Sequence, residues 1–166
     1  MRKLTVLLMA FILFCGAEMH GKNIDIKSPN GSLKVNIELK DKIYYSVYAG
    51  DDLLLKDCSL SMDLGKEVLG QSPKLRNMKR GVINESIKRE IPIKNALVKN
   101  SCNTLRLNMS GNYAVEFRVF DDGVAYRFVT EKKGEIDVLQ EDFTINFPDN
   151  YLAHISKTSG FKTSYE

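Results

Sequence analysis

The chain has 166 residues, 43% hydrophobic and 27% charged, with a formal net charge of +3. That length and balance suit one globular domain with a core of useful size. So small a cationic surplus, spread evenly along the chain, gives no argument for nucleic-acid binding.

Residues 1–21 read as a secretory leader. Arg2 and Lys3 begin it, Leu4–Phe14 is its apolar run, and Cys15-Gly16-Ala17 offers small residues for cleavage after Ala17, with Gly21 as a second position. The run is too short for a stable membrane span. Cys15 raises the alternative of a lipid anchor, which Phe14 directly before it fits poorly. This reading places the mature chain in the periplasm or outside the cell.

Residues 22–150 follow as a single β domain. Ile24 and Ile26 alternate weakly within Asn23–Lys27, and Ser28-Pro29-Asn30-Gly31 is a turn. Leu33, Val35, Ile37 and Leu39 then alternate with polar residues, as in a strand with one wet face. Ile43–Ala49 gives a second such strand, and Asp52–Leu55 begins a short third. Cys58–Gly81 is the least regular part: Leu60, Met62 and Leu64 alternate until Gly65 breaks the run, and the rest, punctuated by glycine and proline, reads as a solvated loop. Its cations Lys74, Arg76, Lys79 and Arg80 offer the alternative of an anionic contact. Ile83–Ile93, Ala96–Val98, Thr104–Met109, Ile136–Leu139 and Phe143–Phe147 are further strand candidates, with a break at Asn100-Ser101. No helical period lasts through a full helix length after the leader. Many short strands with turns at roughly ten-residue spacing predict an all-β, antiparallel two-sheet β-sandwich.

Tyr113–Thr130 carries the sharpest signal. Val115, Phe117 and Val119 alternate with Glu116 and Arg118, and Tyr126 and Phe128 alternate with Arg127 beyond Asp122-Gly123. An Asp-Gly pair predicts a two-residue type I′ turn. That register sets Val119 against Tyr126 and Phe117 against Phe128. It also sets Arg118 against Arg127, which requires a carboxylate from Glu116 or from a body docked on that face.

Chemistry is scarce. There is no phosphate-binding glycine loop, no cysteine–histidine metal pattern and no serine nucleophile elbow. Asp121 and Asp122 read as turn residues. Cys58 and Cys102 could form one disulfide of an exported protein or remain two buried thiols. Tyr44, Tyr48 and Tyr151 are candidate aromatic groups for a free-standing carbohydrate-binding sandwich. Residues 151–166 hold no strong strand pattern.

Phe117–Phe128, Phe-Arg-Val-Phe-Asp-Asp-Gly-Val-Ala-Tyr-Arg-Phe, resembles the hairpin motif of glycoside hydrolase family 97. Ser28–Val35, Ser-Pro-Asn-Gly-Ser-Leu-Lys-Val, resembles that family's opening motif, and Ile43–Val47 and Glu141–Pro148 fit in order. The resemblance implies a super-sandwich type of β domain. In such α-glucosidase and α-galactosidase-like enzymes it precedes a (β/α)8 catalytic barrel and a small C-terminal β domain. It implies an oligosaccharide or α-glucan substrate for the complete enzyme and calcium as its cofactor. The resemblance also implies a chain truncated before the barrel, with 151–166 the start of the linker toward it. No catalytic residue can then be carried over. Glu166 is the candidate calcium ligand, and the face bearing Arg118 and Arg127 is the candidate surface for docking the barrel.

Overall fold

The computed structural model describes residues 22–91 and 95–152. The expected leader therefore lies outside the described residues, as do Cys15 and Glu166. Ten strands and no helix occur among those described: β1 (Lys22–Lys27), β2 (Leu33–Leu39), β3 (Ile43–Ala49), β4 (Asp52–Asp63), β5 (Val68–Leu69), β6 (Leu75–Lys88), β7 (Leu97–Met109), β8 (Tyr113–Val119), β9 (Val124–Thr130) and β10 (Gln140–Phe143). Sheet one runs β1-β2-β3-β4-β10, with β5 also paired to β4; sheet two runs β6-β7-β8-β9. Every pairing is antiparallel.

Alternation explains the layers. Val35, Ile37, Ile43 and Leu60 of sheet one are fully buried, as are Leu105, Leu107, Val115, Phe117 and Val119 of sheet two, and all join one core cluster. Their odd-and-even partners along each strand face solvent, as the period of two demands. Tyr45 crosses the gap, its ring 6.0 Å from that of Phe117 and 6.3 Å from that of Tyr126.

The β8–β9 hairpin differs from the expected register by two residues. Phe117 faces Tyr126 and Val115 faces Phe128. Phe120 N–H donates to the Gly123 carbonyl at 2.8 Å, so Asp121 and Asp122 form the tip. Neither Asp122 nor Gly123 adopts the left-handed backbone that a type I′ turn requires. A slip of two keeps every side chain on its face, which is why the apolar pattern alone did not distinguish the two registers.

The tip is decided by a contact from far away in the chain. Asn30 N–H donates to Asp121 Oδ1 at 2.9 Å, and Ser32 Oγ to the Asp121 carbonyl at 3.3 Å. The β1–β2 turn is built to receive it. Ser28 Oγ and Ser32 N–H both donate to Asn30 Oδ1 at 2.8 Å, and Leu33 N–H donates to Ser28 Oγ at 3.0 Å. Gly31, at φ 77°, takes the left-handed position that closes the turn.

Other differences follow from exposure. Residues 75–81, expected as loop, lie in β6, which pairs with β7 along its whole length although most of its side chains are wet. A strand held by its ladder rather than by burial shows no apolar alternation. β7 continues through Asn100 and Ser101, and Asn100 Nδ2 donates to Glu85 Oε1 across the ladder at 2.7 Å. Ile136–Leu139 is not a strand. β10 occupies Gln140–Phe143, and the chain stays beside β4 as far as Asn146, whose carbonyl accepts from Lys56 N–H at 2.9 Å.

Phe117→Ala removes a fully buried ring and is expected to lower unfolding free energy by about 3–5 kcal/mol. Val82→Ala, at a side chain 73% exposed, is expected to change it by less than about 0.5 kcal/mol. Asp121→Ala, which removes the acceptor for Asn30 N–H, is expected to cost about 1 kcal/mol. Urea titrations of the three variants check all of these values.

Candidate functional site

Two surfaces bring together residues singled out in the sequence. The first is the outer face of sheet two. Register sets Lys79, Arg106, Glu116 and Arg127 in one row, one residue from each strand. Arg118 sits a step along, between Thr104 and Ala125. Arg118 and Arg127 are thus not opposed, as the two-residue shift dictates; both flank Glu116. Arg118 Nη2 lies 3.1 Å and Arg127 Nη2 3.0 Å from the same Glu116 Oε1. Burial of Glu116 raises its pKa, but hydrogen bonds and charge from Arg127 and Arg118 outweigh that and hold it below the ordinary value. Arg106 completes a second pair with Glu131 at 3.1 Å. This face keeps a cationic surplus around a nearly enclosed carboxylate. Its centre is small, formed by Gly81, Thr104 and Ala125.

The second surface is the end of the sandwich where the clasped turn and the hairpin tip meet. An open groove of about 520 Å³ lies there, lined mainly by Leu33, Val47, Leu55, Val124, Phe147 and Tyr151, with Asp122 and Gly123 at its rim. Phe147 and Tyr151 pack edge to face, centroids 5.9 Å apart. The three stretches Ser28–Val35, Phe117–Phe128 and Glu141–Pro148, separate in sequence, all reach this end. Sequence reasoning did not find the groove, because it depends on the hairpin register and on where the chain runs after β10. The Asp121 clasp was legible only in part: the residue types marked turns, but nothing in the sequence paired the two turns.

The remaining candidates are dispersed. Tyr44 and Tyr48 share the wet face of β3, but the Tyr44 hydroxyl donates to Asp41 at 3.2 Å, and Lys34 Nζ sits 4.4 Å from the centre of the Tyr48 ring. Tyr151, 61% exposed, is on the groove and not on that face. Lys79 and Arg80 belong to β6 rather than to a loop. Cys58 and Cys102 are both buried and free. Cys58 points into the core, whereas Cys102 lies in phase with Thr104 on the outer side of sheet two, so that sheet stands between the thiols. Among the described residues, no group of three or more histidine, cysteine or acidic side chains could hold a metal ion. No helix among them is long and apolar enough to cross a membrane.

Residues 26–166 match the family described as glycosyl-hydrolase 97 N-terminal. A retaining alpha-galactosidase of Bacteroides thetaiotaomicron is 30% identical over 156 residues, covering 93% of this chain and 23% of the relative. The chain thus spans under a quarter of that relative's length. The fold is shared with a glycoside hydrolase family 97 enzyme of Pseudoalteromonas sp. strain K8 in complex with panose, at TM-score 0.67 and 18% identity, covering 76% of this chain and 20% of that one. It is shared as well with a beta-arabinopyranosidase, at TM-score 0.69 and 24% identity, covering 76% of this chain and 22% of that one. The chain belongs to the glycosyl-hydrolase 97 N-terminal family.

Proposed function

We propose that this chain is the non-catalytic N-terminal part of an exo-α-glycosidase of the α-galactosidase or α-glucosidase kind, acting on oligosaccharides or α-glucans. The observation that supports it most is the family match through the β domain, joined to a relative more than four times its covered length. A two-sheet sandwich with no acid–base constellation among its described residues suits a supporting role. In this reading the leader delivers the protein to the periplasm or beyond. The catalytic barrel follows, and Arg118 and Arg127 meet carboxylates on it. Guanidinium groups suit such contacts because they bind carboxylates bidentately.

Calcium enters this reading through Glu166. A calcium ion takes about six to eight oxygens, and the described residues form no such set of their own. One carboxylate from this chain therefore needs the other donors from the catalytic part.

The purified chain alone is expected to leave nitrophenyl α-galactoside and α-glucoside unhydrolysed, and release of nitrophenol by it overturns the supporting role. Glu116→Gln tests the charged face. Because the folded pKa of Glu116 is depressed, its contribution is complete above the ordinary glutamate value of about 4.3 and is lost as pH falls below that. Wild type is therefore expected to lose its stability margin over the variant below about pH 4, read as converging Tm values in a pH series.

A further inference from the structure

Asn30-Gly31 is the one Asn-Gly pair in the chain. Asparagine is a chemically labile residue, and a following glycine makes it more so. With no Cβ beside it, the Gly31 nitrogen is open to the Asn30 side chain, and the backbone there turns freely. Residues 29–32 are exposed, so water reaches the pair. A Cβ built at Gly31 would meet nothing within 4 Å, so no neighbouring group screens the site. Yet this is also the turn that receives the hairpin tip.

In the closed turn, the atoms that could react are held elsewhere. Gly31 N–H donates to the Ser28 carbonyl at 3.0 Å, so the nitrogen that would attack keeps its proton. Asn30 Oδ1 accepts from Ser28 Oγ and from Ser32 N–H, both at 2.8 Å, which pins the side-chain amide. Ser28 is itself anchored: it is buried, and its N–H donates to the Leu33 carbonyl at 2.9 Å. Asp121 holds the backbone on both sides of the pair, through Asn30 N–H at 2.9 Å and Ser32 Oγ at 3.3 Å. Cyclisation needs Asn30 Cγ to swing onto the Gly31 nitrogen, and that swing breaks these bonds. The two to Asp121 join different sheets, so they are lost whenever the turn and the tip part.

We propose that Asn30 is a site of spontaneous covalent modification, and that the Asp121 clasp is its gate: closed, it protects the residue; open, it lets the residue convert. With the clasp open, the Gly31 nitrogen gives its proton to water or hydroxide and bonds to Asn30 Cγ. The Cγ–Nδ2 bond breaks, and the amide nitrogen leaves as ammonia. The product is a five-membered succinimide. Water then opens the ring at either carbonyl. Opening at Cγ leaves an ordinary aspartate, and opening at the main-chain carbonyl leaves an isoaspartate. No oxidant, metal or enzyme is needed. The isoaspartate product carries an extra carbon in its backbone, so the Asn30 nitrogen and Ser32 Oγ no longer meet Asp121 together. A molecule converted in this way does not close again.

Peptide mapping of the whole 166-residue chain, held at mildly alkaline pH, tests this, with isoaspartate located by fragmentation. Conversion of Asn30 in the folded chain is expected to run at least about tenfold slower than in the same chain unfolded in concentrated urea. Asp121→Ala is expected to quicken it about fivefold. Ser32→Ala, which loses only the longer bond, is expected to act in the same direction by less, and it serves if Asp121→Ala does not fold. Asp121→Asn keeps an oxygen acceptor and is expected to stay within about twofold of wild type. Asn100-Ser101, held inside the β6–β7 ladder, is expected to stay intact in all of them. Urea below the unfolding transition is expected to leave the folded rate flat, because parting two turns exposes little surface. The isoaspartate form is expected to melt at the Tm of Asp121→Ala. Equal rates in the folded and unfolded chain, or no response to either Ala variant, overturn the proposal. A rate that climbs with urea assigns the protection to the whole fold and overturns the gate. An isoaspartate form that melts with its parent overturns the loss of the clasp.

Discussion

Tyr126 is the side chain on which both sheets close. Its ring lies within 6.3 Å of Tyr45, Phe117, Phe128 and Phe143, which come from β3, β8, β9 and β10. Its hydroxyl reaches Glu141, so the polar end of a partly buried ring has a partner. Burial first, and then the facing Glu141 carboxylate, push its pKa well above the ordinary tyrosine range. The phenol therefore stays protonated and remains a donor. One residue thereby fixes the distance between sheet edges that have no backbone bond between them.

That dependence explains which parts of the fold were legible in the sequence. β2, β3 and β8 bury one face and wet the other, so their alternation was plain, and the all-β sandwich followed from it. β6 buries neither face, so no pattern marked its first half, Leu75–Gly81, and only Ile83 onward was expected as strand. The hairpin register was misjudged because the alternating apolar residues tolerate a shift of two and the Asp-Gly rule placed the loop one residue too far along. The deciding contact, Asn30 to Asp121, joins segments far apart in the chain. The charged face was half legible. Glu116 was expected as a neutralising group, but its sharing by Arg118 and Arg127 depends on the true register.

The family motifs acquire a physical meaning in this arrangement. Ser28–Val35 is a turn built from side-chain bonds to its own backbone, and Asp121 is its ligand. The Phe-Pro end of Glu141–Pro148 lies at the same groove. These stretches together form one end of the sandwich, around the groove. The outer face of sheet two is different in kind. It is a regular ladder carrying charge, and its chemistry is set by which cations share Glu116.

The bond between Asn30 and Asp121 spans 91 positions along the chain. A link of that span gains little until the two turns are brought together, so it is expected to form late, after the transition state for folding. Weakening it should quicken unfolding and leave the folding rate nearly unchanged. On that expectation the clasp acts as a kinetic latch, lengthening the lifetime of the assembled sandwich without helping the chain to find it.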